Sequence, residues 1–368
     1  MATLPLELIE HILDELSDDR KSLIAALSVS RAFHGRALYH LLQTVHLSKD
    51  PDFHQFLALC EISPLVPNIV RSLKIVSRGK EPQLPPLPKV TSLHIRGQLD
   101  DLWQIDFLAI TSLTLEDMVF STAMSFRHWL CSYPYLKSLS LIAVTVHQPA
   151  AFGAYAVARG PALENLSLAY VNENVYTMFL GSVVKEASRF ALHGLRQLQH
   201  RTLYSFDVCD MHKLLCATRG TLRELDLKLV FYGAHRMETA ILDISQVQTA
   251  NYHLYDFSKP CFITNIRWLS CCLDLNGTQP AALKQLHIRM HQAAKPESLE
   301  KVSFSDVLAL LDGILTQPRY HFLELVHFHL PIQGDSWDWI EPEDFRETLV
   351  TSLPGLRSLG LLVVDFSK

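Results

Sequence analysis

The sequence predicts an α/β protein. A small unit of three helices is followed by a solenoid, with a curved parallel sheet on one side and helices on the other. Three observations predict it. The first 47 residues carry apolar side chains at helical spacing, interrupted by short polar stretches. From about residue 70 a four-residue phrase of alternating aliphatic and polar residues keeps returning. Between its copies lie further apolar patterns of helical period. Alternation at period two marks a strand with one buried face, and apolar residues at i, i+3 and i+4 mark an amphipathic helix. The chain has 368 residues, 48% hydrophobic and 19% charged, which is the composition of a folded protein. That length accommodates one small domain and a repeat array.

The N-terminal unit comes first. Leu4-Pro5 opens a helix, because proline's restricted φ and missing N–H suit a helix start. Leu8, Ile9, Ile12, Leu13 and Leu16 continue it, and Ser17-Asp18-Asp19 breaks it. Leu23, Ala26, Leu27 and Ser30 form a second short face, and Phe33, Ala37, Leu38, Leu41 and Leu42 a third. Chains below roughly 50 residues are marginal without a staple or a partner. Residues 1–47 contain no cysteine pair, so some of this apolar surface is expected to be covered by the rest of the chain or by another protein.

These residues resemble an F-box, in particular the version found in fungal proteins. The family pattern of Leu-Pro, a Glu with paired aliphatics, and Ile-Leu is met by Leu4-Pro5, Glu7-Leu8-Ile9 and Ile12-Leu13. A short acidic break follows at Asp18-Asp19. The family's Val-Cys-Arg-x-Trp is met by Val29-Ser30-Arg31-Ala32-Phe33, with Ser30 for Cys and Phe33 for Trp. Tyr39-His40-Leu41-Leu42 is similar to the end of the family's third helix.

Residues 48–89 read as a linker and entry segment. Asp50-Pro51 precedes a helix in which Phe53, Phe56, Leu57 and Cys60 share a face, and Pro64 and Pro67 end it. Pro82, Pro85, Pro86 and Pro88 make a stiff, extended connection rather than a docking motif.

Residues 90–368 carry most of the repeats. The phrase runs Ser72-Leu73-Lys74-Ile75, Ser92-Leu93-His94-Ile95, Ser112-Leu113-Thr114-Leu115, Ser138-Leu139-Ser140-Leu141 and Asn165-Leu166-Ser167-Leu168. Later copies are Glu224-Leu225-Asp226-Leu227, Gln285-Leu286-His287-Ile288 and Ser358-Leu359-Gly360-Leu361, with Glu324 to Phe328 a looser one. The first five leading leucines recur every 20 to 27 residues, a period similar to that of leucine-rich repeats, roughly 20–29 residues. The regular Asn of the standard consensus is absent, so the resemblance is to the irregular type. Phe190-Ala191-Leu192 and Tyr204-Ser205-Phe206 are candidate strands for the gap after Leu166. Leu242-Asp243-Ile244 and Trp268-Leu269-Ser270 are candidates for the gap after Leu225. Ten or eleven strands are expected in all. Helical patterns at Phe126, Trp129 and Leu130, at Met211, Leu214 and Leu215, at Phe304 to Leu311, and at Phe345, Leu349 and Leu353 each precede a strand.

Catalytic motifs are missing from the sequence. HExxH, GxxxxGK, GxGxxG and GxSxG do not occur. No metal, cofactor or catalytic residue is expected. Of the 18 histidines, His327 and His329 lie two apart on an expected strand and share a face, but no third ligand stands at a familiar spacing. Asp335, Asp338, Glu341, Glu343 and Asp344 surround Trp337 and Trp339. They read as a solvated loop whose last acids favour a helix N-terminus, with the tryptophans packed on the last repeats or edging a partner site. The seven cysteines are scattered, without CxxC, as expected of a reducing compartment. In the pair Cys271-Cys272, read as strand neighbours, one side chain is expected inside and one outside. The net charge of -5 and the absence of a basic run argue against nucleic acid. No stretch is apolar enough for a membrane span, and no signal peptide is expected.

The two resemblances together imply an F-box/leucine-rich-repeat protein. Such proteins are non-catalytic substrate receptors of cullin–RING (SCF-type) ubiquitin ligases, cytoplasmic or nuclear. Their F-box binds a Skp-type adaptor that bridges to a cullin, and their repeats hold a protein target. The resemblance implies that Leu4, Pro5, Leu8, Ile9, Ile12, Leu13, Val29, Ser30 and Leu38 carry the adaptor contact, with some of them instead holding the helices together. Lys74, His94, Thr114, Ser140, Ser167, Asp226 and His287 would line the target-binding sheet face. The competing expectation is a repeat-based binding scaffold unrelated to ubiquitin, with the first helices serving only as a cap.

Overall fold

Each turn of the chain re-enters one sheet through the same hydrogen bond. The amide of Arg71 donates to Gln43, Thr91 to Arg71, Thr111 to Thr91, Lys137 to Thr111 and Glu164 to Lys137. The series continues through Arg196, Arg223, Gln248, Lys284 and Glu324, at 2.7–2.9 Å throughout. In each case the residue just before a strand is tied to its counterpart one turn earlier. The computed structural model that shows this describes residues 5–78, 84–98, 107–148, 160–180, 192–203, 208–229, 241–255, 259–274, 280–291, 301–331 and 342–367.

The elements run α1 (Leu6–Glu15), α2 (Arg20–Leu27), α3 (Arg31–Gln43), β1 (Thr44–Leu47), α4 (Asp50–Ile62), α5 (Val66–Ile69), β2 (Ser72–Arg78), β3 (Ser92–Gln98) and β4 (Ser112–Glu116). Next come β5 (Val119–Thr122), α6 (Ala123–Cys131), β6 (Ser138–Ile142), β7 (Thr145–Gln148), β8 (Asn165–Ala169), α7 (Glu173–Leu180), β9 (Gln197–Leu203), α8 (Val208–Ala217) and β10 (Glu224–Leu229). The last are β11 (Thr249–Tyr255), α9 (Lys259–Leu273), β12 (Gln285–His291), α10 (Lys301–Leu315), β13 (Leu325–Pro331), α11 (Pro342–Ser352), α12 (Pro354–Ser358) and β14 (Leu362–Ser367). The fold is therefore α/β. Its main sheet has 12 parallel strands in the order β1-β2-β3-β4-β6-β8-β9-β10-β11-β12-β13-β14, and β5 pairs with β7 in a small second sheet.

Register places like beside like. Val45, Leu73, Leu93, Leu113, Leu139, Leu166, Leu198 and Leu225 form one inward row across the sheet, and all are buried. A parallel pair needs a crossover connection, and here the crossovers bring helices onto the inward face. Phe126, Leu130, Tyr176, Met211, Leu214, Leu269, Leu308 and Leu349 join the inward strand residues in one hydrophobic cluster running from Val45 to Val364. Each fully buried aliphatic contributes about 1.5–3 kcal/mol. After β4, β6 and β8 the chain turns through Asp117, Ala143 and Tyr170, with φ of 56°, 53° and 55°. The same left-handed step, uncommon for non-glycine residues, thus recurs in three successive turns.

Several expectations are corrected. The sheet begins at Thr44, so β1 and β2 fall within segments read as helical unit and linker. Leu192 lies in a 3-10 turn, while Phe190-Ala191 and Tyr204-Ser205-Phe206 lie outside the described residues. The strand between Leu166 and Leu225 is β9, whose second inward residue is His200. Leu242 to Ile244 is irregular and Trp268-Leu269-Ser270 lies in α9. The strand of that gap is β11, with Ala250 and Tyr252 inward. Cys271 and Cys272 are consequently helical neighbours, one exposed and one buried, because successive helical side chains diverge by about 100°. Ser358 to Leu361 ends a helix. The Asp312 carboxylate accepts from the Gly355 and Leu356 amides at 2.8 Å each, which fixes the start of α12 and delays the strand to Leu362. A Cβ on Gly355 would sit 2.8 Å from Asp312 Oδ2. Residues 334–341, with Trp337 and Trp339, lie outside the described residues, while Glu343 and Asp344 do occupy the first turn of α11.

His200 is hydrogen-bonded to the Tyr176 hydroxyl, and the two rings stack. Burial pushes its pKa down to about 3. The depressed folded value means that the unfolded chain binds the extra proton. Stability is thus complete above pH 6.5 and falls as pH drops toward 3, by about 1.4 kcal/mol per unit from this residue. Urea denaturation at pH 7 and pH 5 should show that loss. The Tyr176→Phe/His200→Leu double variant, which restores the aliphatic pattern, should lose about 2 kcal/mol less over the same interval.

Candidate functional site

Two surfaces of the fold are candidates for function, and the first is built by α1–α3. Pro5 occupies the N-cap of α1. The Asp19 carboxylate caps α2 by accepting from the Lys21 and Ser22 amides at 3.1 and 3.2 Å and from the Ser22 hydroxyl at 2.6 Å, which offsets orphan donors at the helix start. Asp14, near the end of α1, ties that helix to α3. Arg36 donates to it twice, at 2.7 and 2.8 Å, and His40 Nε2 lies 2.7 Å from the same carboxylate. The hydrogen bonds from Arg36 and then His40 hold the Asp14 pKa at about 2. Bidentate geometry of this kind fixes orientation as well as adding energy.

Inside this frame Ile9, Leu13, Leu23, Ala26 and Ala37 make a hydrophobic cluster of their own, with Leu16, Leu27, Phe33 and Leu41 packed around it. It is separate from the core of the sheet. The border falls inside α3: Leu41 packs on the helical cluster, whereas the adjacent Leu42 packs on the sheet's core. Leu42 and Val45 therefore close the end of the solenoid, and Leu41 does not.

The resemblance-derived residues divide accordingly. Ile9 and Leu13 are interior, 7% and 0% exposed, and so support the helices rather than present a surface. Leu8 and Ile12, one turn apart on α1, are 49% and 44% exposed, and Val29 is 64% exposed. Ser30 is the exposed N-cap of α3 and Leu38 is half-buried. Leu4 lies outside the described residues. Leu6 and Ile24 are exposed too and were not singled out from the sequence. Ile24 adjoins the buried Leu23, and two consecutive apolar residues on one helix cannot both face its core.

The second surface is the outward face of the sheet. Lys74, His94, Thr114, Ser140, Ser167, Gln199, Asp226, Asn251, His287 and His327 stand side by side in register, each half-buried. All seven positions expected from the phrase lie in this row, Gln199, Asn251 and His327 add to it, and in register it runs on to His46 at one end and Val363 at the other. Neighbours join laterally. Ser167 donates to Gln199 at 3.1 Å, Gln199 to Asp226 at 3.3 Å, and His253 Nε2 lies 3.3 Å from Asp226. His94 Nε2 is 2.9 Å from Glu116, and Arg96 is 2.9 Å from Asp117.

At the C-terminal end of this face the row becomes imidazole. His287 Nδ1 and His329 Nε2 are 3.3 Å apart, and His327 Nε2 is 3.0 Å from the Asp365 carboxylate. Burial, then the neighbouring His327 and Arg289, lower the pKa of His287 and take that of His329 to about 4. The sequence pairs His327 with His329. Their third neighbour is legible only when Gln285-Leu286-His287 is aligned with Leu325-Val326-His327, which are partners in the sheet.

No model of a known protein family matches the chain, and no curated protein matches it either.

The division of α1 into an inner and an outer strip has a direct consequence for stability. Leu13→Ala should destabilise the α1–α3 unit by about 2–5 kcal/mol, as large-to-small changes in packed cores do. Ile12→Ala, at an exposed site, should stay within about 0.5 kcal/mol of the parent. Chemical denaturation followed by helical circular dichroism measures both.

Proposed function

We propose that the chain is a non-catalytic substrate receptor of an SCF-type, cullin–RING ubiquitin ligase. In this reading α1–α3 are an F-box that docks a Skp-type adaptor, and through it a cullin. The 12-stranded array is an irregular leucine-rich-repeat domain whose outward face holds a protein target in the cytoplasm or nucleus. One observation carries the reading: α1–α3 bury a core of their own and still leave Leu8, Ile12, Ile24 and Val29 uncovered. Exposed apolar side chains on so small a unit favour a partner surface. The half-buried polar row on the sheet supports recognition by shape and scattered hydrogen bonds. A receptor of this type needs no catalytic side chain of its own, because holding two proteins together raises their effective concentration.

A second reading, a binding scaffold in which α1–α3 only cap the array, is supported by β1, which follows α3 directly and pairs with β2. Terminal repeats need a cap. That role falls to Leu42 and Val45, and it leaves Leu8 and Ile12 unused.

Co-expression of the full chain with the Skp-type adaptor separates the two. The receptor reading predicts that the adaptor co-purifies with the wild type and is lost from Leu8→Asp/Ile12→Asp, while the circular dichroism spectrum is kept. An unpaired charge buried at an interface costs about 2–5 kcal/mol. A wild type that does not retain the adaptor overturns the proposal, and a folded double variant that retains it fully overturns the site.

A further inference from the structure

We infer that His287, His327 and His329 form a three-imidazole site for a divalent transition-metal ion, zinc being the best fit, with a fourth position open toward the outward face of the sheet. The inference is independent of the ubiquitin-ligase reading. It rests on four features of the geometry.

One ring nitrogen from each histidine lies within 4.8 Å of the other two. His287 Nδ1 and His329 Nε2 are already 3.3 Å apart. Zinc–imidazole bonds of about 2.0–2.1 Å in a tetrahedron set ligand atoms about 3.4 Å from one another, so this pair stands at ligand spacing before any ion is considered. The His327 nitrogen lies within 4.8 Å of both.

The strand register places the three residues side by side. His287 and His327 are register partners on β12 and β13, and Arg289 pairs with His329. His327 and His329 stand two apart and therefore share a face. Sites on regular strands are more precise than sites on loops.

The carboxylate partner is also present. His327 Nε2 contacts Asp365 Oδ2, on β14, at 3.0 Å. A ring that donates one N–H to a carboxylate keeps the lone pair of its other nitrogen for a metal, and such carboxylate–histidine–metal arrangements set tautomer and orientation.

Finally, three protein ligands are one fewer than a closed structural zinc site holds. The fourth position faces solvent on the row of half-buried polar residues, where water or a side chain of a bound protein can fill it. The Arg289 guanidinium opposes a cation here and the Asp365 carboxylate favours it, which points to a site weaker than a closed structural one.

The test uses the full chain, freed of metal with a chelator, and Zn²⁺ and Co²⁺ as probes. Equilibrium dialysis should give one Zn²⁺ per chain at these residues, and Co²⁺ should produce visible bands of tetrahedral type. Asp365→Asn should weaken binding by about 10- to 100-fold. The His327→Ala/His329→Ala variant should abolish it, and His212→Ala, on α8, should leave it unchanged. A folding defect in the double variant is bypassed by diethyl pyrocarbonate labelling of the wild type read by mass spectrometry, where Zn²⁺ should protect His287, His327 and His329. Absence of stoichiometric binding overturns the inference. So does binding that survives the double variant, or protection that falls on other histidines.

Discussion

The constraint on which the structure depends is the register of the parallel ladder. Each strand enters one hydrogen bond after its predecessor's entry point, from Arg71 to Glu324. Side chains alternate across a strand with period two, so a slip of one residue would turn Leu113 and Leu115 to solvent and Thr114 into the core. Keeping that register across 12 strands is what merges residues from Val45 to Val364 into one buried cluster. It also lines up the outward residues. The polar row from Lys74 to His327 and the cluster of three imidazoles follow from the same alignment that buries the leucines.

The first three helices answer to a different constraint. Their few buried residues form a separate cluster, and Asp14, gripped by Arg36 and His40, braces α1 against α3. Separate cores allow the unit to present a surface that owes nothing to the sheet. The junction is short: Leu41 belongs to one core, Leu42 to the other, and β1 starts at Thr44. Such a junction brings the helices directly against the first strand of the array, a placement that the proposed receptor, spanning an adaptor and a target, would use.

Much of this was legible in the residues, and the exceptions have physical reasons. Strands with two aliphatics in the phrase, such as β4 and β6, were readable directly. Where a different inward residue satisfies the same space, the pattern vanished. In β9 His200 is buried neutral against Tyr176, and in β11 Ala250 and Tyr252 replace two leucines. The final phrase misled because Pro354 and the Asp312 cap extend a helix where alternation suggested a strand. In the helical unit, spacing identified apolar residues but could not say which face is inside, so Leu8 and Ile9 read alike although only Ile9 is buried. The third imidazole was hidden by 42 residues of separation from His329, which the sheet removes.

The central claim is that the outer strip of α1–α3, and not the repeat array, meets the adaptor. Hydrogen–deuterium exchange of the full chain with and without the Skp-type adaptor tests it most directly. The account predicts slowed exchange confined to peptides covering residues 5–43, strongest around Leu8, Ile12 and Val29, with the strands from β2 to β14 unchanged. Protection appearing on the sheet, or none in residues 5–43 under conditions that saturate the complex, would contradict it.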